Sequence, residues 1–167
     1  MAAARLWPCG FRVFGPFEFA EVHDGLYVGP CPHSPERIRR LKETGIDGLV
    51  CVQTDRDLET FGMAWPVMWK YLMAQGIVCF RRPIVDFDDK ALRSGLTEAV
   101  DGVAELRGAG RRVYVHCSAG VNRSPTVAIG YLVRHCGMDV ETAWQQVTTR
   151  RSCAPNRAVL TAWAAAL

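Results

Sequence analysis

The chain has no apolar run near the roughly 18–20 residues that cross a bilayer, which excludes a membrane-spanning helix within it. It has little excess charge. Lys plus Arg number 20 against 17 Asp plus Glu, for a net +3. A dedicated nucleic-acid binder carries a strongly basic face, so that class is excluded, while a local basic pocket for an anionic ligand remains compatible. Internal repeats and low-complexity linkers are also missing. Cysteine is plentiful, but its seven residues (Cys9, Cys31, Cys51, Cys79, Cys117, Cys136 and Cys153) form no Cys-x-x-Cys pair. A zinc ribbon or thioredoxin motif is therefore not indicated, nor is any metal-ligand cluster or cofactor motif. Most of these cysteines sit among apolar residues, where they act as small hydrophobes in a reducing compartment. The first residues lack an apolar segment of secretory length. What is present is 49% hydrophobic and 22% charged residues over 167 positions, with a mean hydropathy of +0.02. That composition suits one globular domain able to bury a core.

Gly and Pro breakers make residues 1–16 irregular, and the domain is expected over residues 17–167. Apolar runs predict strands at 25–29, 48–52, 77–80 and 112–116. Helices are predicted from Ser34 through Leu41, over 64–75 with a stop at Gly76, and from Leu92 to Leu106. Three more follow at about 125–135, 140–149 and 156–166. Ser34 suits an N-cap and Pro35 a first helical position. Strands alternating with helices imply an α/β fold, a central, mostly parallel sheet flanked by helices. The last three helices lack intervening strands and should cluster on one side. Ligands of such sheets sit at the carboxyl ends of the strands. Here those ends are Val52-Gln53, Arg81 to Asp88 and, above all, Cys117.

At Cys117 an apolar strand ends in the run His116-Cys117-Ser118-Ala119-Gly120-Val121-Asn122-Arg123-Ser124-Pro125, after which a helix begins. A loop wrapped over a helix N-terminus converges its backbone N–H groups, from Ser118 through Ala119, Gly120, Val121 and Asn122 to Arg123, on one anion. Gly120 permits the torsions of a tight cradle. The helix dipole adds positive potential there, which favours a cysteine facing it as the thiolate. Arg123 offers a planar fork for two phosphoryl oxygens. The pattern is a nucleophile aimed at a bound phosphate.

These residues resemble the signature of the cysteine-dependent tyrosine phosphatases, and specifically the small dual-specificity phosphatase family. The low-molecular-weight phosphatases share the Cys-x5-Arg spacing but place it near the N-terminus, whereas here it lies late and the acid should lie upstream. The resemblance implies an Asp, 31 residues before Cys117, as general acid and base, which is Asp86, with Asp88 as the alternative. An N-cap for the helix from Leu92 is the other reading of Asp88 or Asp89. Ser124 resembles the hydroxyl that stabilises the departing thiolate, and His116 is expected to orient the loop. The reaction implied is phosphoryl transfer to Cys117, followed by hydrolysis of the phosphocysteine.

A second resemblance extends over about residues 17–165. The runs Gly25-Leu26-Tyr27-Val28-Gly29-Pro30-Cys31-Pro32, Val52-Gln53-Thr54-Asp55-Arg56-Asp57-Leu58-Glu59, Arg82-Pro83-Ile84-Val85-Asp86-Phe87-Asp88 and Arg151-Ser152-Cys153-Ala154-Pro155-Asn156 are similar to plant glucan phosphatases and, more distantly, laforin. This implies a phosphorylated glucan as substrate, with Phe17, Phe19, Phe61 and Phe87 lining a shallow channel against sugar rings. Core packing is the other reading of each phenylalanine, and the expected one for Trp69, Trp144 and Trp163. Asn122 stands where those enzymes carry Gly, as in protein phosphatases, so a phosphoprotein is the alternative substrate. The loop interior carries no Lys or Arg, which argues against inositol lipids. A monomer is expected in the cytoplasm, or in a plastid if a transit peptide has been removed, with no nucleic-acid or membrane partner. Cys51 ends a strand that should neighbour the one leading to Cys117, and redox-sensitive relatives keep a cysteine in a similar place. A protective Cys51–Cys117 disulfide is the corresponding expectation.

Overall fold

The structure is a computed structural model that describes residues 16–167. All but the last residue of the expected 1–16 segment lies outside the described residues. Twelve elements follow in chain order: β1 (Ala20–His23), β2 (Leu26–Gly29), α1 (Pro35–Glu43), β3 (Gly48–Cys51), α2 (Asp55–Thr60), α3 (Trp65–Ala74), β4 (Val78–Arg81), α4 (Asp89–Gly108), β5 (Val113–His116), α5 (Arg123–Cys136), α6 (Val140–Arg150) and α7 (Arg157–Ala164).

Five strands form one sheet in the order β1-β2-β5-β3-β4. β2, β5, β3 and β4 run parallel, while β1 pairs antiparallel with β2 at the edge. Period-2 alternation sorts each central strand between two cores. Val113 and Val115 face one, with Leu26, Val28 and Val50, against α4, α5, α6 and α7. Tyr114, Tyr27, Leu49 and Cys51 face the other, against α1 and α3. Helices thus cover both faces, as a parallel sheet requires. The three C-terminal helices do share one side, joined there by α4.

The strand β1 and helix α2 lie outside the elements expected from the sequence. β1 is four residues long and buries only Val22, too short a run to stand out, and it is held by its pairing across the Gly25 turn. α2 is polar and buries only Leu58. Its one sequence signal is the Thr54-x-x-Asp57 capping box. The Thr54 hydroxyl accepts from the Asp57 amide at 3.1 Å, and the Asp57 carboxylate accepts from the Thr54 amide at 2.8 Å. Trp69, expected in the core, is 43% exposed. The register sets the site. His116 lies between Gly29 of β2 and Cys51 of β3, so three strand ends converge on the loop that leaves β5.

Candidate active site

The loop from Cys117 to Asn122 turns its carbonyls outward, and nearly every one is tied to a different group. The Cys117 carbonyl lies 3.3 Å from His116 Nδ1, and the Ser118 carbonyl accepts from the Cys31 amide at 3.0 Å. Arg151 donates to the Ala119 carbonyl at 3.3 Å and to the Gly120 carbonyl at 2.8 Å. The Val121 carbonyl accepts from the Ala154 amide at 2.8 Å, and Asn122 closes the first turn of α5 through Thr126. With the carbonyls fixed outward, the amides face inward. Those of Ser118, Ala119, Val121 and Asn122 donate to no group within the described chain. Free backbone amides gathered at a helix N-terminus are an arrangement able to receive an anion. Gly120, at φ +69°, makes the reversal that the loop needs.

Cys117 sits at the base of this cradle and is buried. The Gly120 amide donates to its Sγ at 3.3 Å, and Ser124 Oγ lies 3.3 Å away. His116 is fully buried. Burial pushes its imidazole down to about 3, so the ring is neutral and contacts the loop backbone, as its place before the cysteine implies.

Arg123 is the most heavily bonded side chain of the site and is 1% exposed. Its Nη1 donates to Asp57 at 2.7 Å and to the Ile84 carbonyl at 2.8 Å. Its Nη2 donates to Asp86 at 2.8 Å and to Ser118 Oγ at 3.1 Å. Its Nε is buried and has no partner. With both Nη1 contacts made to the protein, Nε and Nη2 form the side of the guanidinium able to donate to an incoming acceptor. Gln53 Nε2 also donates to Ser118 Oγ, at 3.0 Å. At Asp57, burial works to raise the carboxyl, but hydrogen bonds from Arg123 and from the Thr54 amide outweigh it. They hold the group below the usual carboxylate value.

The structure brings Asp86, from the segment between β4 and α4, to the loop and helix start that carry Cys117, Arg123 and Ser124. Asp88 is engaged elsewhere: its side chain caps α4 by accepting from the Ala91 amide at 2.9 Å. Asp89 accepts from Asn156 at 2.7 Å. Asp86 alone of the three carboxylates contacts Arg123. Beside it, Phe87 is 93% exposed and adopts φ +56°, a left-handed conformation that a bulky side chain rarely takes. Val85 and Val121 are exposed as well.

The other aromatics do not line this opening. Phe17 and Phe61 are only 6% and 7% exposed and belong to the α1/α3 core, Phe61 against the His33 ring. Phe19 is half-buried and lines a cavity of about 430 Å³ with Arg37, Ala119, Arg150 and Arg151; neither Cys117 nor Asp86 lines it. The expected channel of four phenylalanines is thus not assembled. These rings close the core that supports the loop, and Phe87 alone of them stands free. Cys51 is buried on β3, beside the strand that carries His116, and burial pushes its thiol up to about 11.

Four supporting residues have contacts that the sequence reading does not give: Gln53, expected only as a strand end near the site, and Asp57, Cys31 and Arg151. All lie inside the runs that carry the glucan-phosphatase resemblance, but their contacts to the loop span 31 to 87 positions of sequence, a distance that spacing does not reveal. The run from Arg151 to Asn156 works as a strap, holding loop carbonyls at one end and capping α7 at the other.

With this geometry in view, three comparisons bear on it. A family model described as dual specificity phosphatase, catalytic domain, matches residues 26–163. An amyloplastic phosphoglucan phosphatase of Castanea sativa is 31% identical over 137 residues, covering 81% of this chain. Dual specificity protein phosphatase 1-B of Xenopus laevis is 29% identical over 156 residues, covering 93%. The chain spans 36% and 38% of these relatives' own lengths. The crystal structure of human DUSP28 shares the fold, with a TM-score of 0.71 and 23% identity over 92% of this chain and 97% of that one.

Proposed function

The chain belongs to the dual specificity phosphatase catalytic-domain family, and from that premise we propose that it is a phosphoric monoester hydrolase acting through Cys117 on a phosphorylated glucan. The domain responsible is residues 17–167. The observation that carries the hydrolase reading is the loop with its carbonyls tied outward, enclosing a buried cysteine and an arginine whose Nε has no partner.

The chemistry follows from the contacts. Cys117 Sγ attacks phosphorus in line, forming the S–P bond as the bond to the leaving oxygen breaks, and Asp86 gives that oxygen its proton. Asp86, now a carboxylate, takes a proton from water, whose oxygen attacks phosphorus. The S–P bond breaks, and Ser124 Oγ donates to the departing thiolate. The inward amides and the Nε/Nη2 edge of Arg123 hold the equatorial oxygens through both steps.

The glucan reading rests on the four runs similar to glucan phosphatases, on the Castanea sativa relative and on Phe87. A fully exposed ring next to the acid offers the flat apolar face on which a sugar ring stacks. A phosphoprotein is the second reading, favoured by Asn122 and by the Xenopus laevis relative. The test is phosphate release from phosphorylated amylopectin and from a phosphotyrosine peptide, with Cys117→Ser as the blank. The expected result is preferential release from the glucan, reduced by Phe87→Ala with little effect on the peptide. Release from the peptide alone would transfer the assignment to protein substrates and make Phe87 an ordinary surface residue.

A further inference from the structure

Arg123 presents two sides that differ in what holds them. On the Nη1 side both partners are fixed. Ile84 is buried, and its amide is bonded to the Val52 carbonyl at 3.0 Å. The Asp57 carboxylate is locked by the capping box, since the oxygen that accepts from Arg123 also accepts from the Thr54 amide. On the other side lie the unpartnered Nε and Nη2, the latter bonded to the Ser118 hydroxyl and to Asp86. The proposed reaction needs Asp86 to leave Nη2, both to free that donor for a phosphoryl oxygen and to reach the leaving group. The buried guanidinium then depends on Asp57 for its place and for its protein counter-charge.

We infer that Asp57 is a positioning residue of the reaction, the fixed carboxylate that orients Arg123 so that its Nε/Nη2 edge faces the phosphoryl group and Asp86 can let go. The inference rests on reading the Cys117–Arg123 loop as a phosphoryl-transfer site. It also gives α2 a purpose. This short polar helix follows β3, a neighbour of the strand that leads into the loop, and the residue that locks its first turn is the one that holds the arginine. Without the Asp57 charge, the guanidinium keeps Asp86 as its sole carboxylate partner and has only the Ile84 carbonyl to fix its Nη1 side. Both effects fall on the transition state more than on ground-state binding of an anion.

The test compares Asp57→Asn with Thr54→Ala, which loses the hydroxyl half of the capping box but keeps the carboxylate. Four quantities are measured with a small aryl phosphate: kcat, KM, and competitive inhibition by phosphate and by vanadate, a transition-state mimic. Thermal unfolding is followed alongside. For Asp57→Asn, kcat should fall about 10- to 100-fold and vanadate should weaken in parallel, while KM and phosphate inhibition stay within about threefold. Thr54→Ala should keep kcat within about twofold even though its Tm drops. A kcat for Asp57→Asn within about twofold of wild type overturns the inference, as does an equal fall in Thr54→Ala, which would make the effect one of capping. If Asp57→Asn does not fold, Asp57→Glu decides. It keeps the charge but moves it by a methylene, so a lowered kcat at constant KM supports positioning and full activity overturns it. A wild-type protein that neither hydrolyses the aryl phosphate nor binds vanadate overturns the hydrolase reading and this inference together, an outcome distinct from the failure of Asp57 alone.

Discussion

Replacing Gly120 by Ala tests whether the outward-tied loop is what makes the site. A Cβ on Gly120 would stand 2.4 Å from the Gly29 carbonyl carbon, 2.6 Å from its oxygen and 2.7 Å from an Arg151 nitrogen. Ordinary contact begins near 3.4 Å, so backbone must move by about 1 Å. Gly29 is paired with His116 in the sheet, and that same Arg151 nitrogen holds the Ala119 carbonyl, so neither obstacle is a free side-chain end. The left-handed φ adds roughly 1–2 kcal/mol of its own, and loosening one loop or sheet hydrogen bond adds about 1 kcal/mol. The expected destabilisation is therefore about 2–3 kcal/mol. A 1 Å displacement of the cradle should cost on the order of 100-fold in kcat/KM.

The control is Gly110→Ala, because Gly110 shares the left-handed conformation, at φ +78°, but nothing lies within 4 Å of its Cβ. It carries the torsional cost without the clash, so it should lose about 1–2 kcal/mol and no activity. Urea unfolding gives the stabilities, and turnover of a small aryl phosphate gives the rates. If Gly120→Ala matches Gly110→Ala in both, the close approach of loop and β2 has no energetic meaning and the account of the cradle is wrong.

Two further perturbations read buried groups. His116 is neutral in the folded chain down to about pH 3, whereas in the unfolded chain it takes a proton near its ordinary 6.5. The unfolded state thus binds more protons between those values, so stability is full above about pH 6.5 and falls as pH drops below it, by up to about 1.4 kcal/mol per pH unit. Urea unfolding at pH 7 and pH 5 should show this slope in wild type and a shallower one in His116→Gln; equal slopes would refute it. We also predict that peroxide converts Cys117 to a sulfenic acid and that the Cys51 thiol displaces water from it to form a disulfide, restored by a thiol reductant. Because burial raises the Cys51 thiol, closure should speed up with pH, and Cys51→Ser should lose the recoverable fraction; unchanged recovery in that variant would sink the idea.

Features that a contiguous run specifies are legible in the sequence. Ser34 does cap α1, accepting from the Arg37 amide at 3.3 Å, and Pro35 opens it. The run from His116 to Pro125 carries strand, turn glycine and helix start in consecutive residues, and the loop forms where they place it. The features that escape the sequence share a cause. β1 spans four residues and α2 six, and each buries one apolar side chain, too short a run for periodicity to mark. Phe17 and Phe61 suggest ring surfaces for sugar because their neighbours match a motif. Their burial is decided by residues distant in the chain, Tyr114 against Phe17 and His33 against Phe61. Asp57 is 66 positions from the arginine it holds, and only the parallel pairing of β3 with β5 joins them.

Several departures from local rules sit on or beside the Cys117–Arg123 loop. Buried polar atoms without partners on the loop or touching it are Arg123 Nε, Asn122 Oδ1, His116 Nε2 and Gln53 Oε1, and Arg107 and Arg112 carry others elsewhere in the fold. Phe87, the one non-glycine residue with positive φ among those described, adjoins Asp86. A fold selected for stability alone would pair those atoms and place glycine or asparagine at position 87. The resting arrangement carries the same tension. Asp86 occupies the arginine nitrogen that a phosphoryl oxygen needs, while Arg123 keeps Nε unpaired beside it. In the proposed reaction an arriving phosphoryl group would satisfy Nε and displace Asp86, and the freed carboxylate must take up a proton from solvent before it can protonate the leaving oxygen.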